Sequence, residues 1–160
     1  MFEPADQKIL LLCDHWLVCL GLKRLLEQAS GFTVCATAED SARAREMIAD
    51  QAPDLMVIDL SGKNADAVPL VQALHSKFPD LPLLAVSAHG EPSSIQDTLA
   101  AGAAEYVVKR DVPDDLVPAV RRVLVGKRYA QSAAEVKADR RVTGLRRRAL
   151  HESKPRWSMK

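Results

Sequence analysis

Two aspartates, a serine and a lysine stand at the ends of four short apolar runs. Asp14 closes Leu10-Leu11-Leu12-Cys13-Asp14, Asp59 closes Met56-Val57-Ile58-Asp59, Ser87 closes Leu83-Leu84-Ala85-Val86-Ser87, and Lys109 closes Tyr106-Val107-Val108-Lys109. Paired carboxylates suit a hard cation, and an ammonium and a hydroxyl suit the oxygens of a phosphoryl group. That chemistry needs the four residues in one place. Amphipathic helical stretches separate the runs, which therefore read as buried parallel strands in successive strand–helix units. In an open doubly wound sheet the strand carboxyl ends share one edge, where ligands bind. Asp14, Asp59, Ser87 and Lys109 are expected in a single pocket there, with Cys13 the irregular member.

The 160-residue chain has room for one domain and an extension. Hydrophobic residues make up 48% and aromatics only 4%, which suits an aliphatic core under Ala- and Leu-rich helices. The apolar runs are far shorter than the ~20 residues of a membrane helix. Met1-Phe2-Glu3-Pro4-Ala5-Asp6 is unlike a signal peptide. The expected location is the cytoplasm, with no membrane partner. Cys13, Cys19 and Cys35 show no metal-ligand spacing and read as free thiols. Charge is polarised: residues 1–120 carry 9 Lys and Arg against 18 Asp and Glu, and residues 121–160 carry 13 against 3.

Strands are expected at 8–13, 32–36, 55–58, 83–87 and 105–108. Helices fill the intervals, at about 15–29, 41–50, 65–77, 92–101 and 113–126. Gly31 and Gly102 are placed to end helices, and Asp40 or Ser41 to cap one. Pro69 is tolerable only in a first turn, so the third helix should start late. Gly126 is expected to end the fifth. The fold class is α/β, a doubly wound five-stranded parallel sheet of flavodoxin-like order 2-1-3-4-5 with right-handed crossovers. Residues 1–7 read as an N-terminal extension, 8–128 as the domain, and 129–160 as a basic helix and tail. A capping box at Ser132-Ala133-Ala134-Glu135 would open a short helix to about 142.

Five stretches carry a family likeness. They are Ile9-Leu10-Leu11-Leu12-Cys13-Asp14-His15, Gly21-Leu22-Lys23-Arg24-Leu25-Leu26, Pro53-Asp54-Leu55-Met56-Val57-Ile58-Asp59-Leu60-Ser61, Ser87-Ala88-His89 and the run 101–109 ending Tyr106-Val107-Val108-Lys109. In order and spacing, residues 8–130 resemble the receiver domain of two-component response regulators, closest to the LuxR/FixJ-type subfamily. The resemblance implies that Asp59 accepts a phosphoryl group from a histidine kinase or phosphotransfer protein. It makes Lys109 the cation that pairs with the phosphoryl oxygens and Ser87 the hydroxyl that moves to them. Ala88 is the small neighbour that leaves room, and Tyr106 the aromatic switch. Mg2+ would be held by Asp14, Asp59 and the Ser61 backbone carbonyl. The domain would be a signalling phosphoacceptor rather than an enzyme.

The departures sharpen the expectation. Two acids usually follow the first strand, and here the pair is Cys13-Asp14. A neutral thiol offers Mg2+ little, so weak metal binding and slow or absent phosphorylation are expected. The usual Met-Pro-Gly after the acceptor loop is Gly62-Lys63-Asn64, which puts an ammonium near the pocket; the Lys63 charge could partly replace the cation, or simply be solvated. Trp16, Leu17, Val18, Cys19, Leu20 and Leu22 exceed one buried stripe, so helix 1 either exposes apolar surface to a docking partner or a second copy, as in a homodimer, or carries a broad core stripe.

The basic end has three readings: a nucleic-acid contact through phosphates, a partner for the domain's own acidic surface, or the remnant of a DNA-binding domain. Residues 142–150 faintly resemble the opening of such a domain, with no space after them for a recognition helix. The functional rivals are a pseudo-receiver that never takes phosphate, a nucleic-acid binder built on the tail, and a hydrolase using the acidic cluster. For the last no second base is evident, since His15, His75 and His89 read as surface residues.

Overall fold

The computed structural model describes residues 5–128 and 130. The sixth-helix and tail expectations, at 132–142 and beyond, lie outside the described residues. Contacts divide the chain into two compact units, Met1–Leu124 and Val125–Lys160. The first alternates strand and helix: β1 (Gln7–Leu12), α1 (Trp16–Gln28), β2 (Phe32–Ala38), α2 (Ser41–Gln51), β3 (Leu55–Asp59), a 3-10 turn (Gly62–Asn64), α3 (Ala67–Lys77), β4 (Leu83–Ser87), α4 (Pro92–Ala101), β5 (Glu105–Val108) and a second 3-10 turn (Lys109–Asp111). Residues 112–128 are helical, and 112–124 of them complete the first unit as α5.

The five strands form one parallel sheet in the order β2-β1-β3-β4-β5. The expected flavodoxin-like fold is therefore present. The order follows from burial on both faces. Ile9 to Leu12 and Leu55 to Ile58 have no exposed surface, and successive strand side chains point to opposite sides. Ile9, Leu11, Leu55, Val57, Leu84 and Val86 form one core with Leu22 and Leu26 of α1 and Leu116 and Val120 of α5. Leu10, Leu12, Met56, Ile58 and Ala85 form the other, with Ile48 of α2, Val71 and Leu74 of α3 and Ala101 of α4. Each helix contributes positions three or four apart, the period of a single buried stripe.

Local chemistry sets the boundaries. Asp40 caps α2, its carboxylate accepting the Arg43 N–H at 2.9 Å. α3 begins only at Ala67, so Pro69 falls in the first turn, where its missing N–H has no helical partner to lose. Gly31 and Gly102 take positive φ after their helices, at 92° and 126°. Two expectations fail. β2 runs on to Ala38, because its later residues pair with Leu10 to Leu12. Gly126 is helical rather than a terminator; its φ is not positive, and a glycine ends a helix only when the chain there adopts the left-handed conformation.

Register then places the pocket. Asp59 pairs with Val86, and Ser87 with Val108, so the last residues of β3, β4 and β5 lie within one residue of the same level. The N–H of Leu60 donates to the Val86 carbonyl at 2.8 Å, carrying the ladder one step past Asp59. β1 and β3 lie side by side, and the strand order reverses between them. That crevice is where a doubly wound sheet binds ligands.

One backbone feature offers a test. Ala52, at the end of α2, is the one non-glycine with positive φ among the described residues, at 47°. An L side chain is strained there. Ala52→Gly is expected to stabilise the domain by roughly 0.5–1 kcal/mol, read as a raised midpoint in urea unfolding with unchanged slope.

Candidate functional site

Asp59 ends β3 as a carboxylate with no exposed surface. A buried charge must be met by charge or hydrogen bonds. Lys109, the first residue after β5, brings its ammonium to 3.0 Å from Asp59 Oδ1. Ser61 Oγ donates to Oδ2 at 2.7 Å, from the turn that follows β3. The Cys13 thiol, at the end of β1, lies 3.7 Å from Oδ2 and makes a weak contact. Oδ1 is buried too; it has the lysine charge beside it but receives no aligned hydrogen bond.

Cys13 contributes no charge here. Burial, with a hydrogen bond to the Cys19 thiol behind it, pushes the Cys13 thiol far above the ordinary cysteine range. Burial likewise raises Cys19, whose Sγ donates to the Cys13 carbonyl at 3.1 Å. The two thiols line one side of an open cleft of about 380 Å³ together with Asp14, Trp16, Leu20, Lys23, Thr37 and Glu39.

Asp14 takes a different direction from Asp59. Its Oδ2 accepts the Lys63 N–H at 2.8 Å, so the carboxylate is drawn against the turn after β3. The Lys63 ammonium points away, to Glu39 Oε2 at 3.8 Å, and 63% of the side chain is exposed. Of the two readings of this charge, the solvated one matches the structure; a long exposed side chain follows an accessible carboxylate. The Ser61 carbonyl accepts the Asn64 N–H at 2.9 Å, which occupies one of its two lone pairs.

Ser87 is buried and its Oγ accepts the His89 N–H at 3.1 Å. Tyr106 is half-buried, and its hydroxyl donates to the His89 carbonyl at 2.6 Å. The backbone of His89 thus links the two residues. Sequence reasoning missed this position because only its main chain takes part. Ala88 lies exposed between Ser87 and His89. Trp16, Leu17 and Leu20 are 73%, 57% and 54% exposed, as the excess of apolar residues on α1 implied.

Comparison with known proteins agrees with this geometry. The family described as response regulator receiver domain matches residues 9–121. The chain belongs to the response regulator receiver family. It is 31% identical over 122 residues to the transcriptional regulatory protein DegU of Brevibacillus brevis, covering 76% of this chain and 52% of that protein. It is 29% identical over 124 residues to the response regulator UvrY of Escherichia coli K12, covering 78% of this chain and 57% of that one. The chain thus spans little more than half the length of these curated relatives. Among solved structures, the NarL receiver domain from Mycobacterium tuberculosis superposes with a TM-score of 0.69 at 28% identity, covering 77% of this chain and 99% of that one. A LuxR-family response regulator from Aurantimonas gives 0.71 at 27% identity, covering 84% and 99%. Among the described residues no helix is long and apolar enough to cross a membrane.

Receiver domains generally hold Mg2+ at this edge, and the donors present can be tested against that ion. No group of three or more His, Cys, Asp or Glu side chains among the described residues is placed to hold a metal. Asp59 Oδ1 is buried without an aligned hydrogen bond, beside the Lys109 ammonium, and Asp14 follows β1, the strand paired with β3. Mg2+ is commonly bound by one or two carboxylates while keeping much of its water. The residues of this receiver fit a weakly held, largely hydrated cation.

Cys13→Asp tests the electrostatics. A second carboxylate beside buried Asp59 is expected to cost about 1–3 kcal/mol of stability in metal-free buffer. It should also tighten Mg2+ binding on the order of tenfold. Thermal unfolding with and without Mg2+ reads both: a lower midpoint without the ion, recovered as it is added.

Proposed function

We propose that this receiver accepts a phosphoryl group on Asp59 within a two-component relay, in the cytoplasm, and signals through protein contacts. The observation that supports the reading most directly is the buried Asp59 carboxylate, with one oxygen free of hydrogen bonds and the Lys109 ammonium 3.0 Å from it. The donor would be a phosphohistidine of a kinase or phosphotransfer protein. A carboxylate oxygen of Asp59 forms the bond to phosphorus as the phosphorus–nitrogen bond breaks, and the imidazole departs with the donor protein. Lys109 then pairs with a phosphoryl oxygen. Mg2+ held by Asp14, Asp59 and the Ser61 carbonyl would offset repulsion between the carboxylate and the incoming phosphoryl oxygens.

Ser87, one residue beyond the Val86 that pairs with Asp59, is the hydroxyl assigned to the product. Its O–H is free to donate while Oγ accepts the His89 N–H, and any shift of Oγ toward a phosphoryl oxygen changes that contact with His89. Because the Tyr106 hydroxyl is bonded to the same residue's carbonyl, that change reaches the surface of α4, β5 and α5. Phosphorylation would bias an equilibrium between two arrangements of this face.

A constitutive interaction module is the second reading, favoured by one specific observation. Position 13 holds a neutral thiol against Asp59, so the acidic half of the site is diminished. Incubation with acetyl phosphate and Mg2+, read by intact mass, separates the two. A phosphoryl-sized gain that disappears in Asp59→Asn is the expected result. No gain at high Mg2+, together with no transfer from a cognate kinase, would establish the module instead.

A further inference from the structure

The turn after β3 departs from the usual sequence of the family at three adjacent positions, and the first two departures meet the same carboxylate. Gly62 has φ of +55°, and a Cβ placed there would collide with the Asp14 carboxylate, reaching to within 2.8 Å of Cγ. Lys63 donates its backbone N–H to Asp14 Oδ2 at 2.8 Å. A proline, which usually stands at the second of these positions, has no N–H to give. Glycine therefore makes room for the carboxylate, and a residue other than proline supplies the donor that holds it.

Neighbouring contacts make the turn a firm support. Asn64 is buried, its Nδ2 donates to the Glu39 carbonyl at 3.0 Å, and its N–H donates to the Ser61 carbonyl at 2.9 Å. Ala65 N–H closes the turn on the Gly62 carbonyl at 3.3 Å. Neither internal bond of the turn uses the Lys63 N–H, which is left for Asp14 alone.

We infer that Gly62 and the Lys63 amide form a latch on Asp14, which competes with a divalent cation for that carboxylate and sets the metal affinity of the pocket. The inference rests on the proposed Mg2+ site and adds a second cause of weak binding to the missing acid at position 13. In the metal-free state a backbone dipole meets Asp14, where a cation would otherwise be needed. In this latch the ion draws Asp14 off the turn, so that metal binding and release of the Lys63 amide are one event.

Calorimetric titration of the full chain with Mg2+ tests this without any phosphodonor. Lys63→Pro removes the donor and is expected to tighten Mg2+ binding roughly three- to tenfold, the range for a partly exposed hydrogen bond to a charged group. Lys63→Ala keeps the amide and should shift the affinity less than twofold. Equal affinity in Lys63→Pro and the parent, or an equal change in both variants, would overturn the latch, as would no Mg2+ binding by any of the three at tens of millimolar. Amide exchange in the unmutated protein gives a second reading should the proline variant misfold. The Lys63 amide should be protected without Mg2+ and lose protection as the ion is added; unchanged protection at saturation sinks the idea. A protein that shows both effects yet never takes phosphate would refute the phosphoacceptor reading and leave the latch standing.

Discussion

A carboxylate with no exposed surface has to be neutralised by the protein that buries it, and the pocket is organised around that requirement at Asp59. Lys109 can reach it only because β5 lies beside β4 and ends one residue earlier in the chain. Ser61 reaches it only because the chain turns immediately after β3. Both depend on the parallel register, and the register depends on burying apolar residues on both faces of the sheet. Shifting β3 by one residue would carry Asp59 to the opposite face and Ile58 to the edge. Core packing and site electrostatics are thus settled by the same alignment of strands.

The pocket divides into two halves of different character. On the Lys109 side the charges are compact and complementary. On the Cys13 side the group beside Asp59 is an un-ionised thiol, and the nearest acid, Asp14, is occupied by a main-chain donor of the following turn. Asp59 is common to both halves, and what differs is its company: an ammonium at one oxygen, a hydroxyl and a thiol at the other.

Much of this was legible in the residues themselves. Runs such as Met56-Val57-Ile58 are continuous rather than alternating, which marks strands covered on both faces, and their polar ends marked the sheet edge. Asp40, Gly31 and Gly102 announced helix ends through known local chemistry. Gly126 did not, because a glycine permits a left-handed turn without demanding one. The extension of β2 to Ala38 depended on pairing with β1, a partner far away in sequence. At the site, residue types located the four strand ends, but the direction of a flexible side chain was beyond reach. Lys63 turns to Glu39, and its contribution to Asp14 comes from an amide that every residue except proline possesses.

His89 carries two contacts on its backbone alone: its N–H meets Ser87 and its carbonyl meets Tyr106. Its imidazole lies outside both. The N–H and the carbonyl belong to the two peptide planes that meet at one Cα, so the path from the buried hydroxyl to the half-exposed phenol runs through a single main-chain atom. That path has no side-chain signature. Any residue other than proline can supply both groups, and a comparison of side chains alone would pass over the link.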